Sequence, residues 1–287
     1  MGGVNVTECG LTNLATCLPE KIFEYLVQML NQPVQPLLDA INYLLTQPVN
    51  INVFHSFWAI IVYILSMFYG LFFLFAGFQL MISGYDARKR ENAKEWLRNV
   101  VLMILFVQAS FLLYDLIIQV ASLLTAGIMD IIDPNFFLMT MDNIVNFGLQ
   151  ISLLLPYVLV LIITVILLAL RYLLVSIGVV LFPFALFFYF IPPLQSYGKM
   201  ILNILLVCIF VTFFDAIFLF GASMLLDVGI FSNLKIILAT VGFMGINIMM
   251  ILLVAFAVIK AVFSVKNSSL YGGMKSGVQY IKDQKNA

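Results

Sequence analysis

Charge is what this sequence has least of. Only 10% of its 287 residues are Asp, Glu, Lys or Arg, while 63% are apolar. A soluble globule carries about a quarter charged and about half apolar residues, so that class is excluded. Histidine is nearly absent. His55 stands alone, which rules out any multi-histidine metal cluster. Cysteine is sparse as well. Cys208 lies inside an apolar run and reads as a small packed hydrophobe. Cys9 and Cys17 share the N-terminal tail. They form a disulfide if that tail lies in an oxidising compartment, or stay two unrelated thiols. No CxxC pair, nucleotide-binding loop, nucleophile elbow or paired catalytic carboxylates occur, so neither an enzyme nor a cofactor is expected. The N terminus lacks a basic stretch followed by an apolar core, and no cleavable signal peptide is expected.

Long apolar runs are what the chain has instead. They are continuous rather than alternating, which excludes a β-barrel and points to membrane helices. The fold class expected is an all-α polytopic membrane protein. It has about five transmembrane helices, a proline-broken membrane segment and N-terminal amphipathic helices.

The remaining charge is concentrated. From Tyr85 to Arg98 there are five bases and three acids, whereas Ser56–Tyr85 has none of either and Asn99–Met129 has only Asp115. Two apolar helices joined by a basic loop make a hairpin, and the loop marks the cytoplasmic side. Arg88, Lys89, Arg90, Lys94 and Arg98 are therefore expected to form a topology-setting or docking loop. Anionic lipid head groups alone would satisfy the same charges.

In chain order, residues 1–54 read as an extracytoplasmic tail with two short amphipathic helices, after Pro19 and after Pro36. Residues 55–129 form the hairpin, with spans at His55–Ser83 and Asn99–Met129. Gly70 and Gly77 share a face open to a neighbouring helix, and Gly84 is placed as a C-cap. Residues 130–146 form an acidic outer loop, 147–265 a helical membrane domain, and 266–287 a cytoplasmic tail rich in lysine. Between Phe147 and Ile191 the only charge is Arg171. Two spans turning at Arg171 compete there with one long helix reaching about Pro183. No turn residue flanks Arg171. An outside N terminus with a cytoplasmic C terminus requires an odd number of spans, which favours the long helix and five spans.

Three ionisable residues fall within the spans. Asp115 and Asp215 lie at similar depth on helices running the same way. They could line a polar path or proton site, or simply bond nearby groups such as Gln119 or Thr212. Arg171 is expected near the cytoplasmic interface, snorkelling to head groups as an anchor.

Two stretches carry a family resemblance. Ala76–Asp86 with Arg88-Lys89-Arg90 and Lys94 resembles the conjugative pilin hairpin of type IV secretion systems, over about residues 60–127. Leu168-Ala169-Leu170-Arg171, Leu181-Phe182-Pro183-Phe184-Ala185-Leu186, Pro192-Pro193 and a new span from Lys199 resemble the TrbL-type polytopic channel component of those machines, over about residues 150–262. The large central outer loop of that family has no counterpart here. The resemblance implies a non-enzymatic subunit of the cytoplasmic membrane of a prokaryote, oligomeric and assembled with other membrane subunits. It implies a separate cytoplasmic ATPase and DNA or protein in transit. From another class, a small-solute or ion transporter using Asp115 and Asp215 is the alternative.

Overall fold

The computed structural model describes residues 14–85, 87–138, 144–227 and 234–266. Cys9 and most of the lysine-bearing tail lie outside them, as does the side chain of Cys17, so the disulfide expectation falls outside the described residues. Among the described residues the regular elements are all helical. They are α1 (Leu14–Asn31), α2 (Gln35–Thr46), α3 (His55–Ile82), α4 (Ala87–Gln108), α5 (Ser110–Met129), α6 (Ile144–Phe190), α7 (Gln195–Met224) and α8 (Lys235–Lys266), with short 3-10 turns between.

Five segments are long and apolar enough to cross a membrane: Asn52–Ile82, Ser110–Met129, Ser152–Phe190, Pro192–Met224 and Lys235–Lys260. Their outer faces are strongly apolar. Met81, Leu112 and Leu155 are each more than 70% exposed, which suits a surface bathed in lipid and not in water. The described residues adopt the expected all-α architecture of a polytopic membrane protein, with five segments fit to span.

The Cα framework divides into two compact units. One gathers, among the described residues, 14–45 with parts of Gly127–Leu168 and Ala216–Asn247. Within it α2 turns Ile41 and Leu45 inward and leaves Tyr43 outside, as its amphipathic spacing requires. Tyr157 donates to the Phe137 carbonyl at 2.8 Å, and the rings of both pack on Phe243. Gly242 and Gly245 let α8 approach α7 closely. A Cβ on Gly242 would sit 3.3 Å from that of Ala222, and one on Gly245 would overlap the Phe218 ring.

The other unit comprises, among the described residues, Thr46–Ala126, Ala169–Asp215 and 248–266. Its core interleaves Val62 and Leu65 of α3, Val100 and Met103 of α4, Tyr114 and Ile118 of α5, Val175 and Val179 of α6, and Leu205 and Ile209 of α7. Trp58 donates to the Ser110 hydroxyl at 2.8 Å, tying the start of α3 to the start of α5. Ser122 donates to the Thr46 carbonyl, and the Asn50 N–H donates to the Tyr172 hydroxyl at 3.0 Å.

Four local expectations need correcting. The basic segment is no loop. It is helical from Ala87, and only a 3-10 turn at Ser83–Tyr85 precedes it. Nothing in Arg88–Arg98 breaks a helix, and (i, i+3) pairs such as Glu95–Arg98 support one. Gly84 does not cap α3 with a left-handed residue. Ser83 takes the cap with φ −79°, and no glycine among the described residues has a positive φ. The third span does not stop near Pro183 but runs to Phe190, and the chain breaks at Ile191 before Pro192-Pro193. Proline removes one N–H but is tolerated in apolar helices whose neighbours compensate. Finally, no atom comes within 4 Å of a Cβ built on Gly70 or Gly77, so no helix of the described chain uses that face.

Candidate functional site

α6 is apolar on every side, and its buried stripe is identified only by packing. Arg171, Val175, Val179, Phe182 and Leu186 follow at helical spacing and are all buried. Arg171 thus faces protein and not lipid. It lies equidistant from Ser152 and Phe190, the two ends of its span. Its Nε donates to the Cys208 carbonyl at 2.9 Å and its Nη2 to the Ile209 carbonyl at 2.8 Å, both on α7. A carbonyl oxygen has two lone pairs, so each can accept from Arg171 while keeping its own helical bond. The guanidinium is thereby a two-pronged tie between α6 and α7. The expectation of a snorkelling anchor is overturned.

Asp215 follows on the same buried stripe of α7. It is completely inaccessible, and neither carboxylate oxygen has a hydrogen-bond partner. Its principal electrostatic partner is Arg171. The guanidinium's direct contacts remain the two α7 carbonyls, and its attraction to Asp215 acts at longer range. Tyr114 of α5 donates to the Val175 carbonyl at 2.7 Å, closing the third side of this centre. Thr212 does not bond Asp215. Its hydroxyl turns back to the Ile209 carbonyl at 3.4 Å and lies 3.5 Å from that of Thr125.

Asp115 belongs elsewhere. It is half-exposed and accepts from Gln119, one turn along its own helix, at 2.6 Å. Arg171 and Asp215 are both buried and attract each other without a direct ion pair, and Asp115 lies apart from them. Tyr114, next to Asp115 in sequence, is the residue that sequence reasoning missed. An apolar helix containing a tyrosine gives no sign of which neighbour its hydroxyl will reach.

A second polar region forms where α4 passes the α6–α7 elbow. Asn92, Glu95, Trp96 and Asn99 on one side and Tyr189, Phe190, Pro192 and Gln195 on the other line a groove of about 620 Å³. Positions 92, 95, 96 and 99 are one helical face. Trp96 is held from behind by the Phe72 and Phe75 rings, at centroid distances of 6.3 and 5.2 Å. Lys199 sits with its ammonium 5.9 Å from the centre of the Tyr189 ring. Arg98 reaches Glu95 at 3.9 Å, an exposed pair of small energetic weight.

A family model described as TrbL/VirB6 plasmid conjugal transfer like protein matches residues 17–285. No curated protein and no solved structure matches the chain. The match takes in all five apolar spans, the buried Arg171 centre and the basic helix. The chain is thus a multi-pass membrane protein that belongs to the TrbL/VirB6 family of plasmid conjugal transfer proteins.

Proposed function

We propose that the protein is a non-enzymatic integral subunit of a type IV secretion-like apparatus, which forms or braces the path of DNA or protein across the cytoplasmic membrane. The observation that carries this reading is the family match over nearly the whole chain. The Arg171 tie adds to it, because a charge in a span that holds two helices together suits a scaffold. Energy for transfer comes from a separate cytoplasmic ATPase. It docks where Arg88, Lys89, Arg90, Lys94 and Arg98 present a basic face, beside anionic lipid. The N terminus lies outside and the lysine-bearing C terminus inside, and the subunit works as an oligomer with other membrane subunits. Residues 1–54 serve as the outer arm, 55–129 as the cytoplasm-facing hairpin, and 147–265 as the path-forming body.

A transporter working through Asp115 and Asp215 is not favoured, because Asp115 bonds Gln119 on its own helix while Asp215 is wholly buried. Affinity purification of the detergent-solubilised protein from its own host tests the proposal. Co-purification of a secretion ATPase or another channel subunit is expected. Recovery of neither, with the protein intact, would overturn it.

A further inference from the structure

We infer that the groove between α4 and the α6–α7 elbow binds the head group of an anionic phospholipid of the surrounding leaflet. The inference rests on the proposed orientation, with the basic helix at the cytoplasmic face, and gives that end of the molecule a specific ligand.

Three features of the groove select this chemistry. Its polar lining includes three side-chain amides, Asn92, Asn99 and Gln195, which can donate to phosphate oxygens. Its volume falls within the ~300–1,000 Å³ usual for small-molecule sites. Its walls are Trp96 and Tyr189, amphipathic rings of the kind that settle at head-group level.

Charge complementarity makes the ligand anionic. Two bases border the groove through contacts with its lining, Arg98 beside Glu95 and Lys199 beside Tyr189. Glu95 is the one acid in the lining, and its exposed pair with Arg98 at 3.9 Å is loose enough to leave the guanidinium available to a head group. Lys199 stands over the Tyr189 wall.

The ligand is a lipid and not a free anion because the same hairpin carries an apolar surface beside its basic one. Phe78, Met81 and Ile82 of α3 are 62%, 80% and 76% exposed, and they lie just across the turn from Arg88-Lys89-Arg90. Exposed apolar surface next to exposed positive charge is the signature of a segment seated at a membrane interface. The groove begins at Asn92, about one turn beyond Arg88 on the same helix, and so meets the head groups of that leaflet.

The test uses the full-length protein in nanodiscs of phosphatidylcholine, alone or mixed with phosphatidylglycerol, and counts retained lipids by native mass spectrometry. Wild type is expected to retain phosphatidylglycerol selectively. The double variant R98Q/K199Q is expected to lose that selectivity by about fivefold per charge removed. R90Q/K94Q, on the opposite side of α4, is expected to keep it. Equal melting temperatures in phosphatidylcholine discs establish that both variants are folded. Equal loss in both would reduce the effect to diffuse surface charge and overturn the site. Equal retention of the two lipids by wild type would overturn it too, as would displacement of the lipid by inorganic phosphate. Absence of lipid selectivity in wild type, with partner co-purification intact, would sink this inference alone. The reverse would sink only the proposed function.

Discussion

Arg171 is the residue on which the buried centre depends. Replacing it with Ala removes two charge-assisted bonds to α7 and strips Asp215 of its electrostatic partner. The expected loss is about 1–3 kcal/mol of stability, read as a lower midpoint in denaturant unfolding of the detergent-solubilised protein. Arg171→Lys should restore little, because a single ammonium cannot reproduce the planar fork across two successive carbonyls. If Arg171 and Asp215 act as a unit, Asp215→Asn should cost less in the R171A background than in wild type. A coupling of about 0.5–3 kcal/mol in that cycle is the expected range, and strict additivity would refute the link.

The role of Arg171 was hidden in the sequence for a physical reason. Most helices betray their buried side by contrast with a polar one, but α6 is apolar all round. Its spacing with Val175 and Val179 is visible, yet nothing marks that stripe as the inner one. Distance along the chain is the only depth signal the sequence offers, and it places the guanidinium at an interface. Asp115 was easier to read, because its partner Gln119 is one turn away on the same helix. Local partners are legible, whereas partners on another helix require the packing.

At the scale of elements, the glycines divide sharply. Gly198 of α7 lies against the Tyr189 backbone just across the elbow, and Gly178 of α6 lies against Tyr114 and Leu205. A side chain at Gly198 meets main chain, which cannot rotate away. Gly198→Ala should therefore destabilise by about 1–3 kcal/mol, the usual cost of overpacking. Gly70→Ala meets open space and should leave stability unchanged or raise it by about 0.5–1 kcal/mol through helix propensity. Thermal melts of the two variants side by side check the contrast. Neither Gly198 nor Gly178 stood out in the sequence, where Gly70 and Gly77 looked better placed because they share a face. Spacing shows which glycines line up, but not whether a neighbour arrives. The long α6 was legible for the opposite reason: absence of any turn residue near Arg171 is a local signal, and local signals suffice for a continuous helix.

For the whole molecule, orientation is the property that charge controls. Arg88, Lys89 and Arg90 open α4 as a compact basic turn of helix between two apolar segments, and the run of bases does not depend on whether the segment is loop or helix. Neutralising all three should invert or scramble the topology, and reporter fusions at both termini would reveal it. Unchanged fusions would show that orientation is set elsewhere. The five-span architecture and the family were readable from composition, parity and the Pro183 and Pro192-Pro193 pattern. The break at Ile191 instead of Pro183 was not, because a proline within an apolar helix can be absorbed by its neighbours.

The Arg171 tie also bears on how the chain is made. The two carbonyls it needs belong to Cys208 and Ile209, which leave the ribosome 37 and 38 residues later. Until then α6 carries an uncompensated guanidinium, and an arginine at the centre of a span costs about 2.5–3.5 kcal/mol on insertion scales. The short elbow at Ile191–Leu194 brings α7 back alongside almost as soon as it is synthesised. α6 therefore has reason to linger at the insertion machinery and to be released into lipid only in company with α7. The pair would enter the bilayer as a single helical hairpin.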